Sequence, residues 1–215
     1  MSSFNISATL SLFRLVTKPS LCLPQATVST FNDLPIPLNK AFEKEYKSVD
    51  IRAVVLDKDN CFAWPKENVV AKENEEKFAL LKEAYPANRI LVASNTAGSS
   101  SDPTLSLAET LTKNTNLPVL THRLKKPSCG PEIMSYFKNH PETGVTHPSH
   151  IVVIGDRLTT DVMLANTMGA YSIFISDGVM GREKLTLLAR MEQGFARFLM
   201  RRGVQASDPG SPFEK

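Results

Sequence analysis

Short apolar runs recur through the middle of the chain, each bounded by polar or turn-forming residues. They are Arg52–Leu56, Arg89–Ala93, Pro118–Thr121, His150–Ile154 and Ala170–Ile175. Runs this short and this uniformly apolar predict central strands covered on both faces. Between them the period changes. Phe78, Leu81 and Tyr85 fall on one face of a helix predicted over Lys72–Ala84, which Pro86 ends. Asp102-Pro103 supplies an N-cap and a first-turn proline for a helix to about Asn114. Pro131–His140, with Ile133, Met134 and Phe137 inward, and Thr160–Met168 complete the set, and a short helix is expected over 38–47. Strands alternating with helices predict βαβ units. The expected fold is α/β, with a mostly parallel sheet, helices on both faces and all strand C-termini on one edge.

Both ends of the chain depart from this pattern. No acidic residue occurs before Asn32, and Ile6, Leu10, Phe13 and Val16 recur at near-helical spacing beside Arg14 and Lys18. Three readings fit: a mitochondrial presequence, a retained amphipathic membrane anchor, or a plain tail. Pro24 and the Asn32–Pro37 stretch read as a linker, which sets residues 1–45 apart from a domain over 46–180. At the other end, Arg182, Lys184, Arg190, Arg197, Arg201 and Arg202 face only Glu183 and Glu192. Leu185, Leu188, Met191, Phe195, Phe198 and Leu199 are placed on one face of the same stretch. That predicts a basic amphipathic helix over 181–204, lying on an anionic membrane surface or packed on its own domain or a partner subunit, with a homo-oligomer as one outcome. Residues 205–215 read as a disordered tail.

Composition narrows the class. A net charge of +3 on 215 residues is too mild to imply nucleic acid. Cys22, Cys61 and Cys129 are far apart, with no CxxC pair, so neither a disulfide framework nor a zinc site is indicated. No run of 18 apolar residues exists, and none of the segments reads as a membrane-spanning helix.

The candidate chemistry lies where the strands end. Four of the five predicted strands run into polar residues: Asp57 and Asp59, Ser94 and Asn95, Lys125 and Lys126, and Asp156 with Asp161; the fifth ends in Ser176-Asp177. Asp57 and Asp59 stand two apart on an extended chain and so face one side. Two carboxylates there repel, and a hard divalent cation such as Mg²⁺ is the natural way to keep both ionised. Carboxylates, a hydroxyl and a lysine on one edge suit phosphoryl transfer: one acid attacks phosphorus, a second handles the proton, and the lysine and hydroxyl hold the phosphoryl oxygens. No Walker-type glycine loop is present, so ATP is not indicated.

These residues also carry a resemblance. Asp57-Lys-Asp59-Asn60, Ser94 after an apolar strand, Lys126, and Gly155-Asp156-x4-Asp161 resemble the four ordered motifs of the haloacid dehalogenase (HAD) superfamily of phosphohydrolases, over about residues 50 to 178. The resemblance implies a HAD-like, Rossmannoid fold. It implies Asp57 as nucleophile and Mg²⁺ ligand, and Asp59 as general acid/base that gives its backbone carbonyl to the metal. Ser94 with Asn95, and Lys126, would bind the phosphoryl group, with Lys125 as the alternative lysine. Asp156 would ligate Mg²⁺, with Asp161 as ligand or support. Where the superfamily usually has Thr, two residues after the second Asp, this chain has Cys61.

The insertions at 60–72 and 94–126 leave room for only a minimal cap, which suits a large or membrane-borne substrate or a cap made by a partner chain. The wording around Asp57, the Lys-Pro pair at 126–127 and Gly155 to Val162 resemble the mitochondrial phosphatidylglycerophosphate phosphatases of fungi and their bacterial relatives. That resemblance implies hydrolysis of phosphatidylglycerophosphate to phosphatidylglycerol, feeding cardiolipin synthesis, at the matrix face of the inner membrane. His122, Arg123 and Lys125 are candidates to hold the phosphodiester that remains on the lipid. A soluble phosphatase for a small phosphomonoester or a phosphoprotein, and a non-catalytic scaffold, stay open as alternatives.

Overall fold

The structure, a computed structural model, describes residues 17–42 and 49–212. Five strands form one parallel sheet: β1 (Ala26–Val28), β2 (Ala53–Leu56), β3 (Ile90–Val92), β4 (Ile151–Gly155) and β5 (Tyr171–Ile175), in the order β1-β5-β4-β2-β3. The central pairings are in register, with Ala53 beside Ile151 and Leu56 beside both Ile154 and Val92. Among the described residues, five α-helices accompany them: α1 (Glu75–Ala84), α2 (Ser106–Thr115), α3 (Gly130–Lys138), α4 (Met163–Met168) and α5 (Leu187–Arg201).

Alternation along the strands sorts the core into two layers. Val54, Leu56, Val152 and Ile154 pack with Phe78 and Leu81 of α1 and Leu111 of α2. Ala53, Val55, Ile151 and Val153 pack on the other side with Ile133 and Phe137 of α3 and Leu164 and Ala165 of α4. A third cluster forms where Ala196 and Leu199 of α5 meet Leu158, Val162 and Phe174.

Several expectations are corrected. Pro118–Thr121 is not a strand of the sheet; it makes one isolated bridge, Val92 with Val119, through Val92 N to Pro118 O at 2.9 Å and Leu120 N to Val92 O at 2.8 Å. Pro118 has no N–H to continue the ladder. The fifth strand comes from the N-terminal segment instead, where β1 extends the sheet beyond β5. The expected linker is therefore part of the fold from about residue 19. Phe31, Leu34, Leu38 and Phe42 are buried in the same layer as α1 and α2. Gln25 pins β1, accepting at Oε1 from Ser172 N at 2.9 Å and donating from Nε2 to Ser207 O at 2.6 Å. The presequence reading of residues 1–16 lies outside the described residues. Of the helix expected over 38–47, Leu38–Ala41 form a 3-10 turn and 43–48 lie outside the described residues. Asp102 is not an N-cap, since the helix starts at Ser106, yet its carboxylate still accepts from Leu107 N and Ala108 N. The supposed tail is held at Ser207, which bonds Ser20, and at Ser211, which bonds Ser149.

Candidate active site

The neighbouring strands β4, β2 and β3 place their C-terminal ends side by side, and the polar residues that follow share one edge. Asp57 leaves β2 with its N–H on Ile154 O at 2.8 Å, and Ala93 N on Leu56 O at 3.0 Å brings Ser94 alongside. The carboxylates of Asp57, Asp156 and Asp161 converge, each offering an oxygen within 4.8 Å of the others. Lys126, itself buried, reaches into the group: its Nζ donates to Asp57 Oδ1 and lies 2.6 Å from Asp161 Oδ1. Lys125 points elsewhere, donating to Ser101 Oγ at 2.7 Å.

Electrostatics set the character of this cluster. Burial raises Asp57 well above the usual carboxylate range; Lys126 opposes the rise, and the neighbouring Asp161 and Asp156 carboxylates add to it. Asp156 is pushed up to about 6, by burial first and by Asp161 second. Burial alone would pull Lys126 down, but the Asp161 and Asp57 carboxylates outweigh it and hold the ammonium above the ordinary lysine range. Three carboxylates against one buried ammonium leave an excess of negative charge. An all-oxygen donor set of this density fits a hard divalent cation.

The loop between Asp156 and Asp161 is a π-helical turn, Leu158–Val162. Such turns re-aim side chains at functional sites. Asp161 folds back over the strand end, accepting at Oδ2 from Arg157 N at 3.1 Å. Gly155 permits that approach, because a Cβ there would come within 2.3 Å of Asp161 Cγ.

Asp59 is held differently. Its Oδ1 accepts from Lys58 Nζ at 2.7 Å and Lys66 N at 2.8 Å, and its Oδ2 from Thr96 Oγ1 at 3.1 Å. Thr96 Oγ1 lies 2.8 Å from Ser94 Oγ, so one hydrogen-bond chain links Asp59 to Ser94. Lys58, fully buried, also donates to Glu67 O at 2.7 Å. Asn60 (φ 57°) donates to Asp156 Oδ2 at 2.9 Å and accepts at Oδ1 from Met180 N at 2.9 Å, tying two site loops to the segment after β5. Gly178 must be glycine there: its φ is +66°, and a Cβ would meet Asn60 Nδ2 at 2.3 Å. Cys61, in the place of the superfamily's Thr, is fully buried, and burial and the nearby carboxylates hold its thiol protonated.

The structure thus pairs Lys126 with Asp57 and Asp161, brings Asp156 alongside them, and links Asp59 to Ser94. Two sequence candidates have other duties. Asn95 Oδ1 accepts from Lys126 N at 2.8 Å, so it positions the lysine loop. Buried His122 has Nε2 2.9 Å from Ser94 O and Nδ1 2.7 Å from Leu124 O, so both ring nitrogens are engaged within the protein and neither faces a lipid. Arg123 stands exposed. Lys58, Asn60, Thr96 and Glu192 are the residues sequence reasoning missed. Glu192, buried on α5, receives Arg157 Nη2 at 2.6 Å, Arg157 Nε and Leu158 N at 3.2 Å, and Thr159 Oγ1 at 2.7 Å. The C-terminal helix therefore grips the turn that carries Asp156 and Asp161.

Comparison with known proteins extends this geometry. The family model for mitochondrial PGP phosphatase matches residues 6–180. Phosphatidylglycerophosphatase GEP4, mitochondrial, of Saccharomyces cerevisiae is 42% identical over 195 residues, which cover 91% of this chain and 98% of the yeast protein. The probable phosphatidylglycerophosphatase, mitochondrial, of Schizosaccharomyces pombe is 36% identical over 177 residues, covering 81% of this chain and 84% of that protein.

Proposed function

This chain belongs to the mitochondrial PGP phosphatase family, and from that premise we propose how its residues act. It is a mitochondrial phosphatidylglycerophosphatase, removing the terminal phosphate of phosphatidylglycerophosphate to leave phosphatidylglycerol. Asp57 attacks phosphorus, the bond to the glycerol oxygen breaks, and an aspartyl phosphate forms. Asp59 gives a proton to the departing oxygen, then takes one from the water that hydrolyses the acyl phosphate. Ser94 and Lys126 bind the phosphoryl oxygens, and Asn95 keeps the Lys126 loop in place. Asp57, Asp156, Asp161 and the Asp59 backbone carbonyl would hold Mg²⁺, which would supply neutralisation of the negative charge on the reacting groups.

The observation that supports this reading most is the convergence of Asp57, Asp156 and Asp161, with Lys126 paired to Asp57 and Asp161. A second observation favours work at a membrane surface. Leu187, Leu188, Met191, Phe195 and Phe198 of α5 are exposed, Leu187 at 75% and Met191 at 63%, and Arg190, Arg197 and Arg201 flank them. An outward apolar face with a basic flank suits an anionic bilayer, and we place the enzyme peripherally on the matrix face of the inner membrane. The test is phosphate release from phosphatidylglycerophosphate beside soluble phosphomonoesters, with EDTA and with Mg²⁺. Release from the lipid that EDTA stops and Mg²⁺ restores is expected; chelator-insensitive turnover contradicts the metal assignment.

A further inference from the structure

The reaction leaves a phosphodiester and two acyl chains on the product, and the catalytic cluster has no group for them. The cluster His122, Arg123 and Lys125 is a poor host, since His122 and Lys125 are bonded within the protein. A different feature lies on the opposite side of the nucleophile. A cavity of about 180 Å³ opens between the end of β5 and α5. Leu158, Phe174, Ala196 and Met200 give it an apolar wall, and Arg182 and Arg197 also line it. Asp177 lines it too, with its Oδ1 bonded by Ser176 Oγ at 3.1 Å. Two guanidinium groups against one carboxylate leave the cavity positive.

We propose that this cavity is the subsite for the part of the lipid that is not transferred. The phosphodiester sits on Arg182 and Arg197, and the glycerol and first methylenes of the lipid rest against Leu158, Phe174, Ala196 and Met200. This rests on the phosphatidylglycerophosphatase reading. Three observations carry it. Position is the first: β5 lies two places from β2 in the sheet, so at ~4.8 Å per strand their ends are about 10 Å apart. That distance is within reach of the glycerol and phosphodiester of a lipid whose phosphomonoester sits at Asp57. Chemistry is the second: a fork of guanidinium donors beside an apolar wall matches a phosphodiester followed by hydrocarbon. Access is the third. At 100° per residue round α5, Gln193 and Met200 face the cavity, Arg197, Arg190 and Arg201 come next, and the exposed face with Leu187, Met191 and Phe198 follows. The arginine flank thus lies between the cavity and the apolar surface from which a lipid would come.

The test compares wild type with the Arg182→Ala/Arg197→Ala pair, with Met200→Trp, which narrows the cavity from an exposed position, and with Arg123→Ala. Three substrates separate the possibilities: phosphatidylglycerophosphate in vesicles, its dihexanoyl form as dissolved monomers, and p-nitrophenyl phosphate. The arginine pair and Met200→Trp are expected to lower kcat/KM for the dissolved lipid by about tenfold, mainly through KM, as loss of charge-assisted contacts implies. The loss should exceed that on p-nitrophenyl phosphate by at least about fivefold. Loss on vesicles without loss on the dissolved lipid would assign the arginines to surface attraction alone and overturn the subsite. So would equal loss on all three substrates, or an effect confined to Arg123→Ala. Wild-type protein active on p-nitrophenyl phosphate and inert toward both lipids would bring down the lipid reading itself, and the subsite with it.

Discussion

The catalytic edge and the outer face of α5 depart from ordinary protein anatomy in opposite ways. At the edge, Asp57, Asp161 and Lys126 are ionisable and buried; on α5, Leu187, Met191 and Phe198 are apolar and exposed. Buried charge is costly unless paired or bound to a cation. A large apolar patch on the surface marks something that covers it. On the function proposed above, the edge takes a cation and phosphate and the helix face takes a lipid surface. Glu192 joins the two, because the inner face of α5 grips the Arg157–Thr159 stretch.

The largest expected effect comes from the edge. Asp57→Asn abolishes turnover, and without divalent cation it raises Tm by about 2–4 °C, the shift for ~1 kcal/mol in a chain of this size. Scanning calorimetry beside a phosphate-release assay checks both. A variant that is inactive and less stable would show that Asp57 is not held against its preference.

The bond between the regions gives the next effect. Glu192→Ala should weaken Mn²⁺ binding, followed by electron paramagnetic resonance, by about 10–100-fold, the range for partners that orient metal ligands. Glu192→Gln, whose single amide oxygen can still accept from Leu158 N or from Thr159 Oγ1, should recover part of it. Unchanged affinity in the alanine variant would separate α5 from the metal site. Deleting α5 outright would damage both regions at once, so substitutions on each face are the cleaner probes.

Acidity sharpens the contrast further. Asp57 is raised, and Asp156 lies at about 6. The folded, cation-free chain therefore binds more protons than the unfolded chain between the ordinary carboxylate range and those values. Its stability falls as pH rises through that window, while cation affinity rises as protons stop competing. The Tm gain on adding Mg²⁺ should grow from pH 5 to pH 8. A gain independent of pH would mean that these carboxylates do not hold the ion.

The smallest effect on stability belongs to the helix surface. Met191→Ser/Phe195→Ser/Phe198→Ser should leave Tm nearly unchanged, since exposed substitutions usually stay within about 0.5 kcal/mol each. Sedimentation with anionic vesicles should nevertheless fall, with hydrolysis of p-nitrophenyl phosphate retained. A large drop in Tm would mean that this face packs against protein, as in an oligomer.

What was legible in the sequence follows the same division. Uniform runs such as Val54-Val55-Leu56 and Val152-Val153-Ile154 announced buried strands, and the carboxylates after them stood out because charge is rare at such ends. β1 did not stand out, because Ala26–Val28 is three residues long and set among Ser, Thr and Pro. Lys58 and Glu192 escaped because a lone charge in a loop or on a helix ordinarily faces water; only folding shows their partners. The helix itself was legible, but not which way it faces. Leu185 and Leu199 were grouped with Leu188, Met191, Phe195 and Phe198, yet the two leucines are buried and the others exposed. The side that packs is lined by Ala189, Glu192, Ala196 and Leu199, where small side chains allow close approach and one carboxylate reaches its donors.

The atom that receives the phosphoryl group decides the mechanism. Rapid acid quench during turnover of phosphatidylglycerophosphate, followed by peptide mass spectrometry, should find phosphate on the peptide containing Asp57, sensitive to hydroxylamine, and none in Asp57→Asn. Phosphate on another residue, or an equally phosphorylated Asp57→Asn protein, would contradict it.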